Sequence, residues 1–269
     1  MARILLLTDF SDDSFHAACY AARILGTEGN TFRVVHAWSD EGMAGTLMPA
    51  YGDLVQIWQE DLDGFIRRIQ QHAGINVEGQ ALLYGTLSTV MDEVVEKESI
   101  DLVVMARHRS GNPLLFGNST LEVVRRGHAP VLIVPGSIAL QPPARIALAD
   151  DHQPVSVAEL DILRWIARRN RSGIIVLHVQ EGQEAEAVPS THPDHDLGLV
   201  GVPRTYRTLI GKDIAQSLMS FLSTDGADML VVAHRHLGLL RRLFEPSVTI
   251  ALARRSELPL LVLPQPRNG

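Results

Sequence analysis

Residues 3–14 read RILLLTDFSDDS, and their reading decides the fold. Four apolar residues, Ile4 to Leu7, run without alternation and stop at Thr8-Asp9. An unbroken apolar run of this length predicts a strand buried on both faces, as in a parallel sheet covered by helices. Ser11 is a good N-cap for a helix from about Asp12 to Leu25, with Gly26 as its stop. Strand, short polar turn and helix form the repeating unit of an α/β domain. Residues 145–156, RIALADDHQPVS, repeat the pattern: Arg3 matches Arg145, Ile4 matches Ile146 and Asp9 matches Asp151, each pair 142 residues apart.

The match extends along the chain. FRVVHAW and IIVLHVQ keep the same separation, with His36 on His178. IDLVVMARH and ADMLVVAHR align Asp101 with Asp228, 127 residues apart, and APVLIVP and LPLLVLP align Pro130 with Pro259, 129 apart. Four blocks in the same order mean duplication, and the period is too long for a solenoid. Two domains are therefore expected, residues 1–137 and 144–269, joined through PGSIALQPP at 135–143. Repeat 1 predicts strands at 3–8, 32–37, 77–83, 101–105 and 131–134, with helices at 12–25, 53–73, 87–98 and 119–127. The second helix carries Leu54, Trp58, Leu62, Phe65 and Ile69 on one face. The separation falls from 142 to 127 between His36 and Asp101, so repeat 2 lacks 15 residues, about the length of that helix. Its replacement is polar, carries prolines and has no helical period. Domain 2 is expected to be a shortened copy without the helix between its second and third strands. Its bare sheet face would be covered by the other domain or a second chain, and the segment 180–200 would be mobile.

Composition sets limits. Of 269 residues, 46% are hydrophobic and 20% charged, which suits a globular chain with a substantial core. A net charge of -7 argues against a general nucleic-acid binder. One cysteine, Cys19, rules out a disulfide framework, and its small-residue surroundings predict a buried helix position. The apolar run at the N-terminus is too short for a signal core or a membrane span, so a cytoplasmic protein with no membrane partner is expected.

In a doubly wound sheet, ligands sit at the carboxyl ends of the strands, near the reversal of strand order. Asp9, Ala37 and the loop after Met105 fall there in repeat 1; Asp151, Val179 and the loop after Val232 fall there in repeat 2. After Met105 a short basic loop leads to Asn118-Ser119-Thr120, which open a helix. Strand, polar loop and helix N-terminus is an arrangement that can hold a phosphate.

LLLTDFS with its helix, VVHA, DLVVMARHRSG, FGNST and PVLIVP together resemble the universal stress protein family, and the double copy resembles its tandem members. The resemblance covers nearly the whole chain. It implies two five-stranded, doubly wound, mainly parallel α/β sheets whose last strands pair antiparallel, here within one chain as a pseudo-dimer. Many members bind ATP or AMP, and others bind none. Their phosphate motif is Gly-x-x-Gly, nine residues, then Gly with Ser or Thr, and an Asp after the first strand contacts the adenosine part. In this sequence Ala106 and Arg109 stand at the first two glycines, and seven residues separate Arg109 from Gly117, which survives with Asn118, Ser119 and Thr120. Repeat 2 keeps the nine-residue spacing, but Ala233, His236 and Pro246 replace the glycines, with Ser247 retained. Glycine there permits positive φ and a close phosphate approach; Arg109 or His236 obstructs sterically yet can supply charge. Domain 1 is thus the favoured site for ATP or AMP, with Met105, Ala106 and Arg107 at its strand end, and no metal is expected beyond Mg with the nucleotide.

Other features have quieter readings. Asp9 and Asp151 can cap the following helices as well as contact a ribose or base. RHR at 107–109 and HRH at 234–236 are either phosphate clamps or solvated basic loops. His36 and His178 end apolar strands and read as packed structural histidines rather than catalytic ones. HPDHD at 192–196 offers two imidazoles and two carboxylates that a transition metal could use, but reads as a flexible loop because no regular element fixes the ligands; Trp58 and Trp165 read as helix-face core residues. No nucleophile–base–acid arrangement and no Walker loop occur. The functions that remain are a nucleotide-binding stress or signalling module, an interaction protein that kept the fold without the ligand, and, weakest, a slow ATPase. A homodimer of chains and a protein partner are expected.

Overall fold

The computed structural model describes residues 1–39, 51–107, 123, 129–150, 160–180, 187–189, 198–233 and 257–264. The chain divides into two compact units, Met1–Ala129 with Val134–Gly136, and Pro130–Ile133 with Ser137–Gly269. No helix among the described residues is long and apolar enough to cross a membrane.

Repeat 1 begins with β1 (Arg3–Leu7), α1 (Asp12–Leu25), β2 (Thr31–Trp38), α2 (Tyr51–Ala73), β3 (Val77–Tyr84), α3 (Leu87–Glu98) and β4 (Leu102–Arg107), and ends with β5 (Val131–Pro135). The strand order is β3-β2-β1-β4-β5, so the order reverses between β1 and β4. β1 lies parallel to both neighbours, with Leu7 opposite Val35 and Leu6 opposite Val104. Its apolar run is buried on both faces as expected: Ile4 and Leu5 are fully enclosed. Ser11 caps α1 by accepting from the Ser14 N–H at 3.1 Å, and Gly26 ends it. The expected helix at 119–127 lies outside the described residues, except for buried Val123.

Helix α2 differs from its expected stripe. Leu62, Phe65, Ile66 and Ile69 are buried, but Trp58 and Leu54 are only half-buried, and Val55 and Ile57 are exposed. Length explains this. Its 23 residues span about 35 Å at roughly 1.5 Å each, whereas the 8 residues of β2 cover only about 26 Å. The surplus lies at the helix start, which meets the carboxyl end of β2. Farther along, the Arg68 guanidinium lies 3.7 Å from the centre of the Phe15 ring and 2.7 Å from Asp12, tying α2 to α1. Cys19 is buried in α1, which pushes its thiol pKa up.

Repeat 2 comprises β6 (Arg145–Ala149), α4 (Asp161–Asn170), β7 (Gly173–Gln180), β8 (Ala187–Pro189), β9 (Arg204–Ile210), α5 (Ile214–Asp225), β10 (Met229–Ala233) and β11 (Leu260–Leu263). Its strand order is β11-β10-β6-β7-β9-β8. Five of these strands are parallel to one another, and β8 adds a sixth, antiparallel to β9. The second unit also contains Val131–Ile133, against which β11 runs antiparallel with Leu260 opposite Ile133. The two proline-bounded apolar strands pair as expected.

Between β7 and β9, residues 198–202 form a turn. The turn at 198–202 is not idle polar chain: Leu199 and Val202 are buried. Three guanidinium groups hold it. Arg164 Nη1 donates to the Gly198 carbonyl at 3.1 Å, Arg204 Nη1 to the Leu199 carbonyl at 3.2 Å, and Arg168 Nη2 to the Val200 carbonyl. The described part of this connection is therefore anchored to α4 and β9.

The repeats also share bonds. Asp101 Oδ2 accepts from the Arg3 N–H, and Asp228 Oδ2 from the Ala144 and Arg145 N–H groups, all at 2.8–2.9 Å. Each carboxylate pins the first residue of its repeat's central strand. His36 Nδ1 meets the Thr8 carbonyl at 2.8 Å, and His178 Nδ1 meets the Asp150 carbonyl at 3.2 Å. Both histidines are packed strand-end residues, in keeping with their sequence reading.

Candidate functional site

The turn after β1 is built from its own polar side chains. Asp9 Oδ1 accepts from the Ser11 N–H at 3.1 Å and from the Ser11 hydroxyl at 2.6 Å. Ser11, rather than Asp9, caps the helix; Asp9 orients the cap and is itself held in one position. The Ser14 hydroxyl donates to the Ser11 carbonyl at 2.9 Å, so Thr8 Oγ1 donates to Ser14 Oγ at 3.0 Å. Thr8 Oγ1 also accepts the Phe10 N–H at 2.9 Å. This bond holds Phe10 at φ 65°, a left-handed conformation that costs a bulky residue on the order of 1 kcal/mol or more.

The strained turn throws the Phe10 ring onto His36, with centroids 4.4 Å apart and planes at 27°. Trp58 lies 6.1 Å from His36, Trp38 lies 5.0 Å from Trp58, and Tyr84 lies 4.9 Å from Trp38. Five rings thus line the carboxyl ends of β1, β2 and β3. Burial is the largest influence on His36 and pushes its pKa below the ordinary imidazole value; the Thr8 carbonyl, Asp9 and Asp61 oppose it. In the sequence, the aromatic residues at strand ends were the available signal for this cluster, but only Trp58 stood out, as core.

The sequence-derived candidates are distributed as follows. Extending the β1 register by two residues past Leu7↔Val35 brings Asp9 level with Ala37, and the β4 register brings it level with Arg107. The extended register thus puts all three at one level, at the reversal of strand order. Met105 is fully buried and Ala106 nearly so, leaving their side chains in the core and only their backbone available. In repeat 2, Val179 stands two residues beyond Leu177, which pairs with Ala149, and Ala233 ends β10. Arg109, Gly117, Asn118, Ser119, Thr120, Asp151, His236 and Ser247 lie outside the described residues, as does HPDHD at 192–196. Where repeat 1 has Thr8, repeat 2 has Asp150, a buried acid that sequence reasoning missed. Trp165 is half-buried. Among the described residues, no group of three or more His, Cys, Asp or Glu is placed to hold a metal ion.

The sequence and the fold are similar to those of known proteins. A model of the Universal stress protein family matches residues 1–135 and again 144–264. Universal stress protein C of Escherichia coli O6:H1 is 31% identical over 87 residues, which are 32% of this chain and 61% of that protein. A universal stress protein from Archaeoglobus fulgidus DSM 4304 has a similar solved structure, with a TM-score of 0.71 at 15% identity, covering 100% of this chain and 98% of its own. A functionally unknown protein from Pseudomonas aeruginosa PAO1 superposes with a TM-score of 0.57 at 14% identity, covering 98% and 92%. At these identities the structural likeness speaks for the fold.

Proposed function

Because this chain belongs to the universal stress protein family and carries its domain twice, we propose that repeat 1 binds an adenine nucleotide and serves as a ligand-responsive stress or signalling module of the cytoplasm, without catalysis. The observation that carries this reading is the level placement of Asp9, Ala37 and Arg107 across the reversal of strand order, with Asp9 held in advance by Ser11. A carboxylate whose orientation is fixed before binding loses little entropy on meeting a ribose hydroxyl or a base N–H. Arg107 and Arg109 would supply charge to the phosphates in place of the glycine amides, and Gly117 with Ser119 and Thr120 would receive them at the helix start that the sequence predicts. Mg²⁺ would enter with the phosphates.

Small molecules released from the purified protein, identified by mass spectrometry, test the reading directly; an adenine nucleotide is expected. Calorimetric titration then ranks the repeats: Asp9→Ala is expected to weaken binding more than Asp151→Ala. Equal losses would remove the preference for repeat 1. A ligand-free parent that gives no heat would favour an interaction protein, the reading to which the lost glycines point. Light scattering tests the expected homodimer of chains.

A further inference from the structure

At the amino ends of β1, β2 and β3, the end of the sheet opposite Asp9, repeat 1 holds a half-open cleft of about 300 Å³. Arg3, Arg33, Glu78 and Glu98 line it, together with buried Ile4 and Phe32. Three features build this corner around Arg33. Phe32 pairs with Val77 but Arg33 with Gly79, so Glu78 is an extra residue in β3 and the strand bulges there. Bulges re-aim side chains and are frequent beside binding sites. A Cβ added at Gly79 would lie 2.9 Å from Arg33 Nη1, so the guanidinium occupies the room that any other side chain would need. Arg33 Nη2 meets Glu98 Oε1 at 3.1 Å, yet Arg33 Nε is enclosed with no hydrogen-bond partner.

Repeat 2 builds the same sheet without this corner. Ile175 stands 142 residues after Arg33, and β7 pairs with β9 without a break, Ile174 with Arg204 and Ile175 with Thr205. The fold therefore needs neither the bulge nor the arginine, and an enclosed donor without an acceptor is a cost that calls for a reason. The charges leave two groups over. Glu98 is engaged by Arg33, whereas Arg3 Nη1 donates only to the Glu98 carbonyl, at 2.8 Å. Among the described residues, no carboxylate pairs with the Arg3 guanidinium and no cation with Glu78. One cation and one anion without partners thus line the same small cleft, whose volume lies at the low end for ligand sites.

We propose that this cleft binds a small zwitterion of the α-amino acid class, its carboxylate toward the guanidinium groups of Arg3 and Arg33 and its ammonium toward Glu78. The site is separate from the nucleotide reading and stands without it. A guanidinium and a carboxylate on one cleft match the two charges of an amino acid, and a ligand lacking either charge leaves one of them unpaired.

Titration of the full chain at pH 7.5 with glycine, L-alanine and L-leucine, which span a range of side-chain sizes, tests this. At least one is expected to bind saturably. The tightest of them should bind about tenfold better than its analogue without the ammonium and than its analogue without the carboxylate, the loss of one charge-assisted hydrogen bond in each case. Glu78→Gln, at an exposed position, should bring the ratio of amino acid to ammonium-free acid down to about one. A merely structural Glu78 would leave that ratio alone. Arg33→Ile installs the residue that repeat 2 carries and should weaken every ligand with a carboxylate while the urea midpoint stays within the range of a surface substitution. Saturation by none of the three amino acids overturns the inference, as does equal affinity of the parent for an amino acid and its ammonium-free analogue. An unchanged ratio in Glu78→Gln, or full affinity in Arg33→Ile, overturns it as well. The measurements on the parent chain decide even if a variant folds poorly, and nucleotide binding stands or falls separately.

Discussion

His36 ties a strand end through one nitrogen, and burial makes its charged form costly. Its pKa in the folded chain lies below the unfolded value of 6.5, so the unfolded state binds the extra proton first. The stabilisation is therefore complete above pH 6.5 and is lost as the pH falls through the lower folded value. The urea midpoint is expected to drop between pH 7.5 and 5.5, and His36→Asn to flatten that slope; parallel slopes would refute the assignment. The equivalence of His36 and His178 was legible in the sequence because both end matched apolar strands. Their partners were not, since a carbonyl oxygen has no sequence signature. Phe10 was invisible for a related reason: nothing marks a bulky residue as left-handed until the side chains that hold its N–H are in place. At Arg171 the structure shows the same preference, with φ 55° where repeat 1 has Gly29 at φ 72°.

At the scale of elements, periodicity located α2 within two residues but did not tell which part of its stripe is buried. A hydrophobic stripe records which face turns inward, and says nothing about where the neighbouring sheet stops. Leu62→Ala, at a fully buried site, is expected to cost about 2–5 kcal/mol. Leu54→Ala, on the same stripe but half-buried, should cost under about 1 kcal/mol. Urea unfolding of the two variants distinguishes them, and equal losses would mean that the helix start is packed as tightly as its centre. The Arg68–Phe15–Asp12 contact was likewise unreadable, because it depends on the angle at which α2 crosses α1. In repeat 2 the arginines that hold the 198–202 turn are spread over α4 and β9, too far apart in sequence to suggest a common target.

At the scale of the whole molecule, the duplication was the most legible property, because order and spacing of four blocks do not depend on side-chain placement. The shortened connection in repeat 2 was visible as a missing length, yet β8 was not, since three residues carry too little pattern to stand out. At the strand ends, Asp9 and Ala37 stood out in the sequence, whereas the ring cluster that starts at the neighbouring Phe10 and His36 did not.

The position of β1 has a consequence for synthesis. It is made before both of its neighbours in the sheet, and its partner β4 pairs through Ile4↔Leu102, so one side of its apolar run has no neighbour until the chain has grown by about a hundred residues. At roughly 5–20 residues per second, that interval is about 5–20 s. Folding of small domains is often faster than this, so the ribosome sets the pace at which repeat 1 closes. Nascent chains arrested before residue 102 emerges should remain open to protease and bind a hydrophobic-segment chaperone, whereas chains released past β5 should resist digestion as far as the linker. Protection of the shorter chains would mean that β1 and β2 form a stable sheet without their third strand.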